Sequence, residues 1–213
     1  VTSPRDRAVM PVSIVAKHHR SIEYNRQMSL PLKPMVANSL YWTTADLDVM
    51  PDDGGWLRHE VIEGELFVTR APHIRHQSVG GNIHFELEFW SRQTNLGKPF
   101  QVPGVIFTPI DAVIPDVVWA SQARLDRGID QAGHFTVAPE LMVEILSPGE
   151  QNEQRDKSVK LKLYSRYGVQ EYWIVNWQLQ TLEIYRRTDA QLQLFATLLG
   201  SDTLTSPLLP GFN

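Results

Sequence analysis

The sequence predicts an α/β protein, one central mixed β-sheet flanked by helices. Three observations carry this. From about residue 40 onward, segments with a helical apolar period alternate with short β-rich runs. Leu141–Leu146 is a continuous apolar run holding one acid and ended by Ser147-Pro148, which is how a central strand reads. A helix-period stretch separates it from the strand pattern Glu171–Val175, so the three form a βαβ crossover.

Residues 1–38 show no sustained period and carry scattered prolines and basic residues. They read as a flexible extension, with methionines at 10, 28 and 35 as alternative starts; the folded domain is 39–213. Thr43 or Thr44 caps a short helix through Met50, stopped by Pro51 and Asp52-Asp53-Gly54-Gly55. Arg58–Ile62 and Glu65–Thr69 are strands hinged at Glu63-Gly64. Ser78–Arg92 is a helix whose stripe is Val79, Ile83 and Leu87, widened by Phe89 and Trp90. Strands follow at Val102–Phe107 and Val113–Trp119, then a polar loop over 121–138 that is expected to shape substrate access. After Leu141–Leu146, the helix Glu153–Tyr167 ends at Gly168 as its C-cap. Glu171–Val175, Thr181–Arg187 and Leu192–Leu198 complete the sheet.

Composition narrows the function classes. The 213 residues include no cysteine, so disulfides and zinc–thiolate sites are excluded. No apolar run approaches the ~20 residues of a membrane span, and no secretory h-region is recognisable, so a cytoplasmic location is expected. The net charge of -4 is unevenly placed: residues 1–35 carry +4 and the remainder -8. An acidic body argues against wrapping a large area of nucleic acid, but bound divalent cations would neutralise part of it. No Gly-rich phosphate loop, Ser-His-Asp arrangement or zinc spacing is present.

The chemistry points to two acids. Asp116 follows Pro115 and opens the apolar run Val117-Val118-Trp119-Ala120, while Glu144 lies inside Leu141–Leu146, on one face with Met142 and Leu146. Burying a carboxylate is costly unless its charge is compensated. On adjacent strands the two would suit a hard cation such as Mg²⁺, which takes only one or two protein carboxylates. On the next helix Asp156, Lys160 and Tyr164 share one stripe, and Val159, Leu163 and Tyr167 a neighbouring one that packs on the sheet. Lys160 is thereby placed to bring its ammonium to the acids and stabilise charge on a phosphoryl oxygen. Arg155, Lys157, Lys162 and Arg166 read as a solvated basic face offering unspecific phosphate contacts.

These residues resemble the Uma2 family. The matching pieces are Pro115-Asp116-Val117, Pro139 through Pro148, Asp156-x3-Lys160-x3-Tyr164 and Gly168-Val169-x-Glu171-Tyr172-Trp173-Ile174-Val175. Upstream, His59 through Leu66 and Arg75-His76-Gln77 match two further signatures, so the resemblance covers roughly residues 40 to 190. It implies a restriction-endonuclease-like core of the PD-(D/E)xK nuclease superfamily and a homodimer. It also implies Mg²⁺ (or Mn²⁺) held by Asp116 and Glu144, hydrolysis of phosphodiester bonds in DNA, and a lysine assisting water attack. The chain departs from the superfamily pattern at Leu146, where a lysine belongs; Lys160 would supply that charge from the helix.

Glu60 matches the family's upstream acid and would complete the metal shell or position water; the alternative is an exposed strand acid. His76 is a proton carrier, a phosphate contact or a helix cap. Asp111 is a weaker competitor as a ligand; Glu63 and Glu65 read as solvated, and His84, Glu86 and Glu88 as surface helix residues. Tyr172 and Trp173 read as core rather than base-stacking groups. Two further functions remain open: a catalytically inactive nuclease-fold module that binds nucleic acid or a protein, and a dimerising domain whose acids serve only ion pairs.

Overall fold

The computed structural model describes residues 41–51 and 54–213; the extension expected over 1–38 lies outside the described residues. Its core is two sheets rather than the single sheet expected. Four antiparallel strands run in the order β2 (Glu65–Arg70), β1 (Leu57–Ile62), β5 (Asp111–Val113), β4 (Val105–Thr108). A six-stranded mixed sheet has the order β10 (Gln191–Leu199), β9 (Thr181–Thr188), β8 (Glu171–Asn176), β7 (Leu141–Ile145), β6 (Val117–Ser121), β3 (Gly97–Gln101).

The two sheets arise where the sequence pattern had promised unbroken strands. The run expected at Val102–Phe107 is cut at Val102-Pro103-Gly104, with Val102 at φ 52°, so β3 ends at Gln101 and β4 joins the other sheet. The run expected at Val113–Trp119 breaks at Ile114-Pro115-Asp116, between β5 and β6. Proline cannot donate to a ladder, so the chain changes sheet there. Asp116 therefore stands at the mouth of β6, not within a strand.

A short helix, α1 (Thr44–Leu47), follows its N-cap Thr43 and stops short of the expected Met50. α2 (Ile74–Thr94) starts four residues earlier than expected, capped by His73, whose ring accepts from the Arg75 amide. It lies against the six-stranded sheet, burying Leu87 and Trp90, while Phe89 turns outward and stacks on Phe85. Gly80 lets it approach closely: a Cβ there would sit 3.2 Å from Ile145 of β7. On the other face of the sheet runs one continuous helix of three parts: α4 (Glu150–Gln154), a π-helical segment (Arg155–Lys160) and α5 (Leu161–Tyr167). Gly168 at φ 85° caps it as expected. It links β7 to β8, which pair in parallel, and so forms the expected βαβ crossover.

The core divides accordingly. Met142, Leu146, Leu163, Tyr164 and Tyr172 pack on the crossover side; Leu141, Val143, Trp119 and Trp173 pack under α2. Two residues of the 121–138 loop, Phe135 and Ala138, belong to the crossover-side core, and a short helix, α3 (Gln122–Leu125), interrupts it. Among the described residues no helix is long and apolar enough to cross a membrane.

Candidate active site

β6 and β7 are antiparallel neighbours with Val117 opposite Val143. One residue further, that register sets Asp116 opposite Glu144, and paired residues project from the same face. Both line one cavity of about 380 Å³ together with Lys160, His76, Arg58 and Arg155.

Asp116 meets a partner on each oxygen. Its Oδ2 accepts from the Ile145 amide at 2.9 Å and faces His76 Nε2 at 3.2 Å; its Oδ1 faces Arg58 Nη1 at 3.3 Å. Burial works to raise the carboxyl, but His76 and the Ile145 amide outweigh it and hold Asp116 below its usual range. His76 is neither ahead of the helix nor its cap. It lies in the first turn of α2, 5% exposed, and its buried Nδ1 has no hydrogen-bond partner among the described residues.

Glu144 is 2% exposed. Its Oε1 accepts from Lys160 Nζ at 2.9 Å and Tyr164 Oη at 2.7 Å. Burial pushes its carboxyl up to about 8; Lys160 opposes this, while Asp156, Asp116 and Glu60 reinforce it. Lys160 Nζ is also 2.9 Å from Glu60 Oε1 and 4.0 Å from Asp156 Oδ1. Burial alone would lower the Lys160 ammonium, yet Glu144, Glu60 and Asp156 together hold it above its ordinary value. The stripe Asp156-Lys160-Tyr164 thus faces the acids, as its spacing predicts.

Glu60 is no exposed strand acid: it is 3% exposed on β1, with Oε1 accepting from the Ile114 amide at 2.8 Å as well as meeting Lys160. Asp111, by contrast, is taken up structurally. It accepts from the Glu63 amide, the Thr108 hydroxyl and the Tyr167 hydroxyl, away from the cavity. Glu63 pairs with Arg166 and Lys162 at the surface, and Lys157 with Glu183. His84, Glu86, Glu88 and the 121–138 loop contribute nothing to the cavity lining. Tyr172 and Trp173 are core, as expected.

Sequence reasoning missed one cavity residue and gave another the wrong surroundings. Arg58 was not singled out, although one strand position separates it from Glu60 and alternation puts both on one side of β1. Arg155 is not a solvated helix cation: its side chain is 11% exposed and its Nε and Nη2 donate to the two oxygens of Asp156 at 2.9 and 3.2 Å. Burial works against its charge, but Asp156 holds it above the ordinary value.

The donor set suits a hard divalent cation. Four buried acids (Glu60, Asp116, Glu144, Asp156) face three basic side chains (Lys160, Arg155, Arg58), so the fully ionised cluster carries an excess negative charge. Glu144 Oε2 has no donor among the described residues. No group of three or more His, Cys, Asp or Glu among the described residues closes into a cation cage. Mg²⁺ does not require one, because water and substrate phosphate complete its shell.

A mixed sheet with a βαβ crossover, carrying opposed acids at one cavity, is the restriction-endonuclease-like fold. A solved structure described as a "putative nuclease belonging to DUF820 from Anabaena variabilis ATCC 29413" superposes with a TM-score of 0.57 at 18% identity, covering 72% of this chain and 83% of that one. The model of the Uma2 family, described as "Putative restriction endonuclease", matches residues 44–213. The chain belongs to the Uma2 family. No curated protein matches it.

Proposed function

We propose that the protein is a Mg²⁺- or Mn²⁺-dependent endonuclease that hydrolyses phosphodiester bonds in DNA, with Asp116 and Glu144 holding the cation. One observation carries this reading: two carboxylates opposed across β6 and β7, in one cavity, with a buried lysine 2.9 Å from the second. When bound, the cation supplies Lewis-acid polarisation of the phosphodiester and a more acidic water.

The chain's own residues do the rest. His76, Arg58 and the Ile145 amide hold Asp116 ionised and fixed in direction. Lys160 and Tyr164 grip one oxygen of Glu144 and leave the other without a donor among the described residues. Glu60, anchored by the Ile114 amide, shares Lys160 and so ties β1 to the crossover helix. Its role is to hold the lysine rather than to ligate. His76 serves as a positioning residue for Asp116 rather than as a proton carrier.

The test is a nicking assay on supercoiled plasmid and on single-stranded DNA with Mg²⁺ or Mn²⁺, beside calorimetric metal titration. Wild type is expected to cut and to bind metal; Asp116→Ala and Glu144→Ala are expected to lose both. If wild type leaves DNA intact and takes up no metal, the reading fails.

A further inference from the structure

Lys160 has three N–H donors, and three carboxylates surround it: Glu144 and Glu60 at 2.9 Å and Asp156 at 4.0 Å. With a side chain 2% exposed, this ammonium is turned wholly toward the protein's own acids. A different cation faces outward. Arg155 docks its Nε–Nη2 edge on Asp156, and its Nη1 has no acceptor among the described residues. Asp156 is itself fully buried, so the guanidinium plane is fixed before anything binds.

The helix geometry makes this possible. On a straight α-helix, residues five apart point about 140° apart, so Arg155 and Lys160 could not both serve one cavity. The chain over Arg155–Lys160 is π-helical, and its i→i+5 turn sets the two on the same side. Arg155 also reaches further than Lys160. It lines a second groove of about 500 Å³ between β2 and α4, which meets the first cavity at Val68, Thr69, Asn152 and Arg155. Arg155 is the one charged residue among these four.

On the nuclease reading given above, we propose that Arg155, and not Lys160, is the phosphate-binding cation of this site. It holds a backbone phosphate of a nucleic-acid strand that enters along the groove between β2 and α4. A guanidinium with one edge on a carboxylate and the other open offers a planar fork to phosphate oxygens, which an ammonium cannot. Lys160 is then a positioning residue, holding Glu144 and Glu60 in place.

Two readouts on the same variants test this: oligonucleotide binding by fluorescence anisotropy against NaCl, with Ca²⁺ replacing Mg²⁺, and cleavage kinetics in Mg²⁺. Arg155→Gln is expected to reduce the slope of log affinity against log salt by about one and to lower kcat/KM by about 100-fold. Arg155→Lys keeps the charge, so it retains the slope but loses about 10-fold in kcat through the lost fork; it also decides the matter if Arg155→Gln does not fold. Lys160→Met is expected to lower kcat while leaving the slope unchanged. A slope lost in Lys160→Met and kept in Arg155→Gln would overturn the assignment, as would wild-type kinetics in Arg155→Lys. If wild type binds DNA with this pattern yet cuts nothing, the nuclease reading falls and Arg155 stands. If wild type binds no oligonucleotide, the Arg155 assignment falls even where cleavage is seen.

Discussion

Lys160→Met is the substitution that most directly probes the electrostatics of the site. The lysine is 1% exposed and within 2.9 Å of two carboxylates that are themselves nearly inaccessible. Removing one member of such a buried set leaves uncompensated charge, at a cost of about 3–5 kcal/mol. That is a large share of a domain stability of about 5–15 kcal/mol. With a urea m-value of about 2 kcal/mol/M, the midpoint would fall by about 2 M. The penalty depends on pH. Glu144 already titrates near 8 with the lysine present, so without it the carboxyl is neutral at pH 6 and costs less. Urea unfolding in EDTA, followed by tryptophan fluorescence at pH 6 and pH 9, is expected to show the larger loss at pH 9. Adding Glu144→Gln to Lys160→Met is expected to recover part of that loss, because the unpaired charge goes with it. A Lys160→Met protein within about 1 kcal/mol of wild type at pH 9 would refute the idea that this lysine compensates buried acids.

Other outcomes follow from the same geometry. In EDTA, the folded state keeps a proton on Glu144 that the unfolded chain releases above about 4.5, so wild-type stability should fall as pH rises from about 4.5 to 8. Glu144→Gln is expected to flatten that decline when urea midpoints are plotted against pH. Glu171, 1% exposed, accepts from Trp173 Nε1 at 2.7 Å and Ser206 Oγ at 2.8 Å and has no place in the cavity. Glu171→Ala should therefore cost about 2–3 kcal/mol in denaturant unfolding and leave kcat unchanged. A Cβ on Gly97 would lie 2.2 Å from the Ala120 carbonyl, so Gly97→Ala should destabilise the β3–β6 pair by about 1–3 kcal/mol, seen as a lower thermal midpoint.

Much of the fold was readable because the signals are local. The run Leu141–Leu146, the stripe Asp156-Lys160-Tyr164 and the cap at Gly168 each need only a strand or helix period and one turn residue. The hidden part lies where a short apolar run changes allegiance. Within Val113 through Trp119, Pro115 is the one sign that the two halves pair in different sheets. The π-helical segment is equally silent, since an α-helical wheel puts Arg155 on the solvated side.

The site shows the same division. That Asp116 and Glu144 carry costly buried charge follows from the sequence alone, because an acid inside an apolar run has to be compensated by something. The compensators were a tertiary matter. Arg58 and Glu60 come from a strand more than fifty residues before Asp116, and His76 from the start of a helix on the opposite side of β7 from the crossover. Six buried acids, Glu60, Asp111, Asp116, Glu144, Asp156 and Glu171, look alike as letters. Asp111 and Glu171 prove to be anchors for loops and the C-terminal segment, and the other four gather around Lys160 and its cavity. Periodicity tells which residues are buried; only the packing of distant strands decides which charges they meet there.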